Sequence, residues 1–208
     1  TKGATGDYST AMGYSTTASG TRSTAMGNST TASGEYSTAM GRSTTASADQ
    51  STAMGATTTA SGNYSTAMGA STTASGTRST AMGQSTTASG TNSTAMGAYT
   101  IASDYGSLVM GKYNSVGSSV TTDGSATAFD ADNSAFVIGN GTASGSKSDA
   151  LVVYSNGNAT LAGALTVGTT IGHTADADLM TLANGSVTFT GSTVIATADV
   201  NGGAIDGA

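Results

Sequence analysis

The residues able to do chemistry in this chain are few and poorly spaced for it. His173 is the only histidine, and although Asp176 and Asp178 follow it, nothing in the sequence orders them with a serine into a nucleophilic triad. Asp130-x-Asp132-Asn133 and Asp176-x-Asp178 carry oxygen ligands suited to Ca²⁺, but they lack both the twelve-residue EF-hand spacing and the Gly-Gly-x-Gly-x-Asp repeat of calcium-binding solenoids. Gly139-Asn140-Gly141-Thr142-Ala143-Ser144-Gly145 is one residue too long for a dinucleotide fingerprint, and no strand–helix–strand pattern surrounds it. Six Asn-x-Ser/Thr sequons, Asn28 and Asn92 among them, are expected by chance in a chain this rich in Ser and Thr. No catalytic, cofactor or metal site is therefore expected, and the protein reads as a non-enzyme.

A second set of residues is spaced with great regularity, and its chemistry is that of contact. Met12, Met26, Met40, Met54, Met68, Met82, Met96 and Met110 lie fourteen residues apart. Seven of them sit in the word Ser-Thr-Ala-Met-Gly and the eighth in Ser-Leu-Val-Met-Gly. A second column reads Tyr8, Arg22, Tyr36, Gln50, Tyr64, Arg78, Asn92. Alternation of aromatic and planar polar groups suits cation–π stacking and keeps like charges apart. Tyr and Arg also join broad contact area to directional polar groups. The residues expected to face a receptor are therefore Tyr8, Tyr14, Arg22, Tyr36, Arg42, Tyr64 and Arg78, all at variable turn positions; the competing reading is that they only staple coil to coil.

The element that must position these columns is a solenoid coil. Each repeat divides into two sevens, as in Ser9–Ser15 and Thr16–Arg22, and both halves read small-x-Ala-x-Gly followed by turn residues. Strand side chains alternate between faces. Ser9, Ala11 and Gly13 are thus expected inside with Thr16, Ala18 and Gly20, while Thr10, Met12, Thr17 and Ser19 point out. Seven such coils over residues 9–106, each rising about 4.8 Å, make a flattened roll with almost no lumen. Its Thr17-x-Ser19 face forms a flat hydroxyl array, which raises ice binding as one reading and ordinary soluble strand residues as the other.

An interior of Ala, Gly and Ser removes little apolar surface from water, at roughly 25 cal/mol per Å². No Leu, Ile, Val or Phe occurs before Ile101, and the four types together number 24 of 208 residues. The outward Met is then the only large aliphatic side chain in each coil, and a stripe of exposed Met calls for a partner. Self-association with the Met rows facing one another across an axis parallel to the stack is the economical solution. Net charge is only −6, with the acidity beyond residue 104, and no basic stripe exists to hold nucleic acid or anionic lipid. Absence of Pro fits a chain of ladders, and absence of Cys leaves the compartment unspecified. Without a signal peptide, transmembrane run or initiating Met, the chain reads as an internal fragment with no membrane insertion of its own.

The doubled Ser/Thr-x-Ala-x-Gly heptad, as in Ser23–Gly27 with Thr30–Gly34, resembles the head repeats of YadA-like trimeric adhesins. The resemblance implies a left-handed parallel β-roll in a tight homotrimer; because no other large aliphatic residue precedes Ile101, the Met columns are expected near the trimer axis. It covers about residues 3–120, with departures at Ala48 and Asp104, which stand in place of Gly, and at Ser107–Val120, where Leu108, Val109 and Val116 bulk out a last coil that looks like a cap. The expected organisation is β-roll repeats over 1–120 and a β-rich, hairpin-bearing trimeric shaft over 121–208.

Leu151–Tyr154, Asn156-Gly157 and Ala159–Leu161 give a strong hairpin signal, and Leu179–Leu182, Asn184-Gly185 and Val187–Phe189 repeat it. Ser148–Gly168 and Ala198–Gly207 resemble linking segments of marine phage tail fibres. Three copies of His173 could meet on a trimer axis, but fibre metal sites use a His-x-His pair that Gly172-His173-Thr174 lacks, so a turn or surface position is expected. The leading functional reading is a trimeric fibre, extracellular or on a virion tail, that attaches to a host cell-surface glycan or protein. A phage tail fibre is preferred, with a bacterial surface adhesin, a structural filament subunit and an ice-binding solenoid as alternatives.

Overall fold

The computed structural model describes residues 3–163. Residues 164–208 lie outside the described part, and with them the expected second hairpin, His173, Asp176, Asp178 and Ala198–Gly207. The described residues are all-β, with no helix among them.

Two strands form per repeat because each half of the fourteen-residue word has one small-x-Ala core. The five-residue strands run from Thr10–Tyr14 and Thr24–Asn28 to Leu108–Lys112, eight in all, and the two-residue strands from Thr17–Ala18 to Ile101–Ala102, with Gly3–Ala4 ahead of them. Every long strand pairs in parallel with the long strand one repeat away, and every short strand with its short counterpart. The chain is a parallel β-solenoid of two sheets, one built of short strands and one of long strands extended at its end.

Register places like on like. Thr24 pairs with Thr38, Ala25 with Ala39 and Met26 with Met40, and the next coil repeats the pattern. The core is a double file of alanines, Ala25, Ala39 and Ala53 from one sheet and Ala32, Ala46 and Ala60 from the other, all fully buried. Ser23, Ser37 and Ser51 and Thr30, Thr44 and Thr58 complete the interior. Side chains this short let two sheets approach more closely than the usual ~10 Å, so the interior is filled without large residues. The Ser/Thr and Ala facing expected from alternation is the facing observed.

The glycine after each Met departs from it. Gly13, Gly27, Gly41, Gly55, Gly69, Gly83 and Gly97 were expected inside with Ser and Ala, but they are exposed and have φ between 115° and 126°. A Cβ at Gly41 would stand 2.0 Å from the Gly55 carbonyl oxygen, pointing along the stack instead of into the roll. Only glycine reaches that backbone region without strain, and this is why Gly follows Met in all eight repeats.

Two turns per coil hold a non-glycine residue in the left-handed region, a conformation that costs roughly 1–2 kcal/mol. One column is Tyr8, Arg22, Tyr36, Gln50, Tyr64, Arg78 and Asn92; the other is Ser15, Ser29, Ser43, Thr57, Ser71, Ser85, Tyr99 and Tyr113. A hydrogen bond between coils offsets the strain. The Arg22 amide donates to the Asp7 carbonyl (2.7 Å), Tyr36 to Thr21 (2.9 Å), and Ser29 to Tyr14 (2.8 Å). Because the ladder fixes φ, the side chain there is free to vary.

The stack ends in a polar cap. After Leu108–Lys112 the chain loops out and returns as Ser134–Asn140, which pairs in parallel with Leu108–Lys112, Val137 lying beside Val109 and both fully buried. Asp149–Tyr154 then pairs antiparallel with Ser134–Asn140, and Ala159–Leu161 with Asp149–Tyr154. Between these last two strands Gly157 has φ +88°, and the Tyr154 amide donates to the Asn158 carbonyl (2.8 Å).

Asp104, standing where earlier coils carry glycine, is fully buried and holds the loop. Its carboxylate accepts from the amide and hydroxyl of both Thr121 and Ser134. Asn114 caps the short sheet like one more strand residue. Its Oδ1 accepts from the Ile101 amide, and its Nδ2 donates to the Ile101 and Val116 carbonyls, at 2.7–2.8 Å. Asp149 accepts from the Ser115 and Val116 amides (2.9 and 2.7 Å).

Candidate interaction surfaces

Three outward surfaces follow from this architecture. The first is the methionine column on the long sheet. Met12, Met26, Met40, Met54, Met68, Met82, Met96 and Met110 lie side by side in register, and Ile138 continues the row beyond Met110. In the single chain Met12 is 59% exposed and the others are half-buried. Parallel in-register pairing is what converts a fourteen-residue spacing into a continuous stripe.

The second surface is the first column of left-handed turns. Arg22 lies between two rings, its guanidinium carbon 5.6 Å from the Tyr8 centroid and 5.1 Å from that of Tyr36. It also donates to the Tyr36 hydroxyl (2.8 Å) and stands 3.7 Å from Glu35. Arg78 stacks on Tyr64 at 5.4 Å; its other neighbour in the column is Asn92, so this arginine has one ring where Arg22 has two. Such exposed contacts are worth about 0.5–1 kcal/mol each, enough to order the strip without burying it. Tyr8 remains 85% exposed.

The structure splits the seven turn residues into two groups. Tyr8, Arg22, Tyr36, Tyr64 and Arg78 precede the long strands, whereas Tyr14 and Arg42 end them, in the register column Tyr14, Asn28, Arg42, Ala56. Six residues of extended chain, about 20 Å, separate Tyr8 from Tyr14. The division of each repeat into two sevens already puts Tyr14 and Arg42 at a different turn from Tyr8 and Arg22, and the register confirms that separation. The second turn adds a pair that sequence reasoning missed, Tyr99 and Tyr113, whose rings stack at 4.5 Å and 7°. Desolvation, and then the neighbouring Tyr99, hold the Tyr113 phenol above its ordinary value.

The third surface is the hydroxyl array of the short sheet, Ser19, Ser33, Ser47, Ser61, Ser75 and Ser89, all exposed. The metal motifs resolve differently. Asp130 Oδ1 accepts from the Asp132 amide (3.0 Å), and Asn133 is buried with its Oδ1 on the Ser125 amide (2.6 Å), so this run builds a turn. Among the described residues no three His, Cys, Asp or Glu side chains come together as a cation site.

A two-sheet parallel solenoid with an apolar outer column and variable, stacked turns is a scaffold that displays side chains along its length. The YadA head domain repeat (2 copies) matches residues 4–30, 32–58, 46–72, 60–86, 74–100 and 88–114. These matches take in more than half of the chain, and the protein belongs to the YadA head family. No curated protein matches it. The family is a structural adhesin domain and not an enzyme family, and membership suggests an adhesin-like role at an exposed surface.

Proposed function

We propose that this chain is a rod segment of a homotrimeric attachment fibre, with Met12, Met26, Met40, Met54, Met68, Met82, Met96 and Met110 near the three-fold axis. The methionine column carries the reading. It is the one continuous apolar stripe on a solenoid whose interior holds nothing larger than Ala, Ser and Thr over the first seven coils. Full burial of a Met side chain contributes about 1.5–3 kcal/mol, and a half-buried one still leaves much of that to be gained against a neighbour. Family membership supports the same assembly.

The setting we infer is a virion tail, on the likeness of Ser148–Gly168 and Ala198–Gly207 to tail-fibre linking segments. A bacterial cell surface is the second reading, supported by the family match. The full-length open reading frame separates them: tail-attachment segments in one case, a membrane-anchoring barrel in the other.

Contact with a host glycan or protein is assigned to the variable turns. Since Tyr36 and Tyr64 lie on one column and Arg42 on another, Tyr36→Ser with Tyr64→Ser is compared with Arg42→Ser in a cell-attachment assay, after each variant is shown to melt normally. Loss of attachment in either arm, with the rod intact, assigns binding to that column. Unchanged attachment in both makes the rod a spacer and overturns the assignment.

A further inference from the structure

The cap carries a groove lined by carboxylate, amide and hydroxyl side chains beside one aromatic ring. An open pocket of about 450 Å³ lies between the loop after the last coil and the terminal hairpin. A smaller hollow of about 190 Å³ shares Thr121, Thr122 and Tyr154 with it, so the two are lobes of one groove. The larger lobe falls within the roughly 300–1,000 Å³ of small-molecule sites. Unlike most of those, its lining is polar: Asp123, Asp132, Asn156, Asn158 and Thr160, with a single aromatic residue, Tyr154.

We propose that this groove binds a neutral saccharide unit, with Tyr154 as the platform and Asp123, Asp132 and Asn158 as the hydrogen-bonding rim. Tyr154 packs partly against the valine core at the end of Asp149–Tyr154, which limits its motion and leaves ring surface on the groove. An aromatic surface next to acceptors and amides suits a pyranose, which offers an apolar C–H face and a ring of hydroxyls. The carboxylates of Asp123 and Asp132 make no hydrogen bond or ion pair within the described protein and can accept from hydroxyl pairs. No Lys, Arg or His lines either lobe, so a sialic or uronic acid would meet only like charge. The rim is held in place. The Asn156 amide donates to the Ala131 carbonyl (2.9 Å), the Asn158 amide to Asn156 Oδ1 (2.9 Å), and the Asp132 amide to Asp130 Oδ1 (3.0 Å).

The proposal rests on the adhesive reading for its context, but the two fail separately. The intact chain is titrated with methyl glycosides of mannose, glucose, galactose and N-acetylglucosamine, and with methyl sialoside, by saturation-transfer NMR and chemical-shift mapping. Saturable binding of at least one neutral glycoside with Kd of about 1 mM is expected, weakened about tenfold or more in Asp123→Asn/Asp132→Asn. Tyr154→Phe, which keeps the packed ring, retains binding, whereas Asn158→Ala weakens it. No saturable binding by any neutral glycoside, tighter binding of the sialoside, or binding unmoved by the rim variants overturns the site. Host-cell attachment measured on the same rim variants reports on the adhesive role: sugar binding lost with attachment intact leaves the adhesive reading standing and confines the groove to an accessory site.

Discussion

Gly41→Ala is the smallest change that tests the coil geometry. A Cβ at this position would stand 2.0 Å from the Gly55 carbonyl oxygen, where ordinary contact begins at 3.4 Å, so the two coils must part by about 1.4 Å or the backbone must turn. Parting would stretch the neighbouring bond from the Thr57 amide to the Arg42 carbonyl from 2.8 Å to about 4.2 Å, past any hydrogen bond. The φ of +120° is itself a conformation that costs an L-residue about 1–3 kcal/mol. With one or two ladder bonds lost at about 0.5–1.5 kcal/mol each, the total is about 1.5–6 kcal/mol per chain. For a chain of this size that lowers Tm by roughly 3–24 °C. Ala70→Ser, an exposed position with ordinary φ, is the control and should melt like the parent. Thermal melts by circular dichroism near 218 nm report both. An unchanged Tm in Gly41→Ala would refute the close coil contact and the account of Met-Gly built on it.

Other expectations follow from single contacts. Asp104→Ala leaves the Thr121 and Ser134 donors without their acceptor, at about 1–3 kcal/mol for each buried orphan, and hydrogen exchange should accelerate over 117–134 while residues 24–88 keep their protection. Thr58→Val replaces a fully buried hydroxyl that has no hydrogen-bond partner, so a Tm equal to or above the parent's is expected; a clear drop would show that the hydroxyl is satisfied. Arg22→Ala removes contacts with Tyr8 and Tyr36 but is exposed, so Tm should fall by no more than a few degrees, and a collapse of the rod would mean the strip is structural.

Much of this fold was legible because repetition removes ambiguity. One repeat gives short words that could belong to any loop; eight in register leave only a parallel stack, and the constancy of Ser/Thr and Ala against varying turns identifies the inner face. Gly13 and its equivalents were misplaced because alternation assumes a regular strand, and a φ near +120° breaks it. The left-handed turns were invisible for a related reason: the usual signal is Gly or Asn, but here the residue's own amide donates to a carbonyl of the coil before and fixes the conformation, so Tyr, Arg and Ser serve equally. Asp104 showed in the sequence only as an exception to glycine. Its partners, Thr121 and Ser134, lie 17 and 30 residues away, beyond anything a repeat pattern reports. The groove beside Tyr154 depends on the same long-range closure.

The assembly is the centre of the functional account, and native mass spectrometry of the chain tests it most directly. The parent should appear at three times 19.9 kDa. Met40→Ser, Met54→Ser and Met68→Ser combined should shift it to the single-chain mass or lower its Tm sharply, since three neighbouring members of the column lose their apolar surface. A parent that stays monomeric at micromolar concentration, or a triple variant that keeps the trimer mass and the parent's Tm, would contradict the axial methionine column and the trimeric fibre with it.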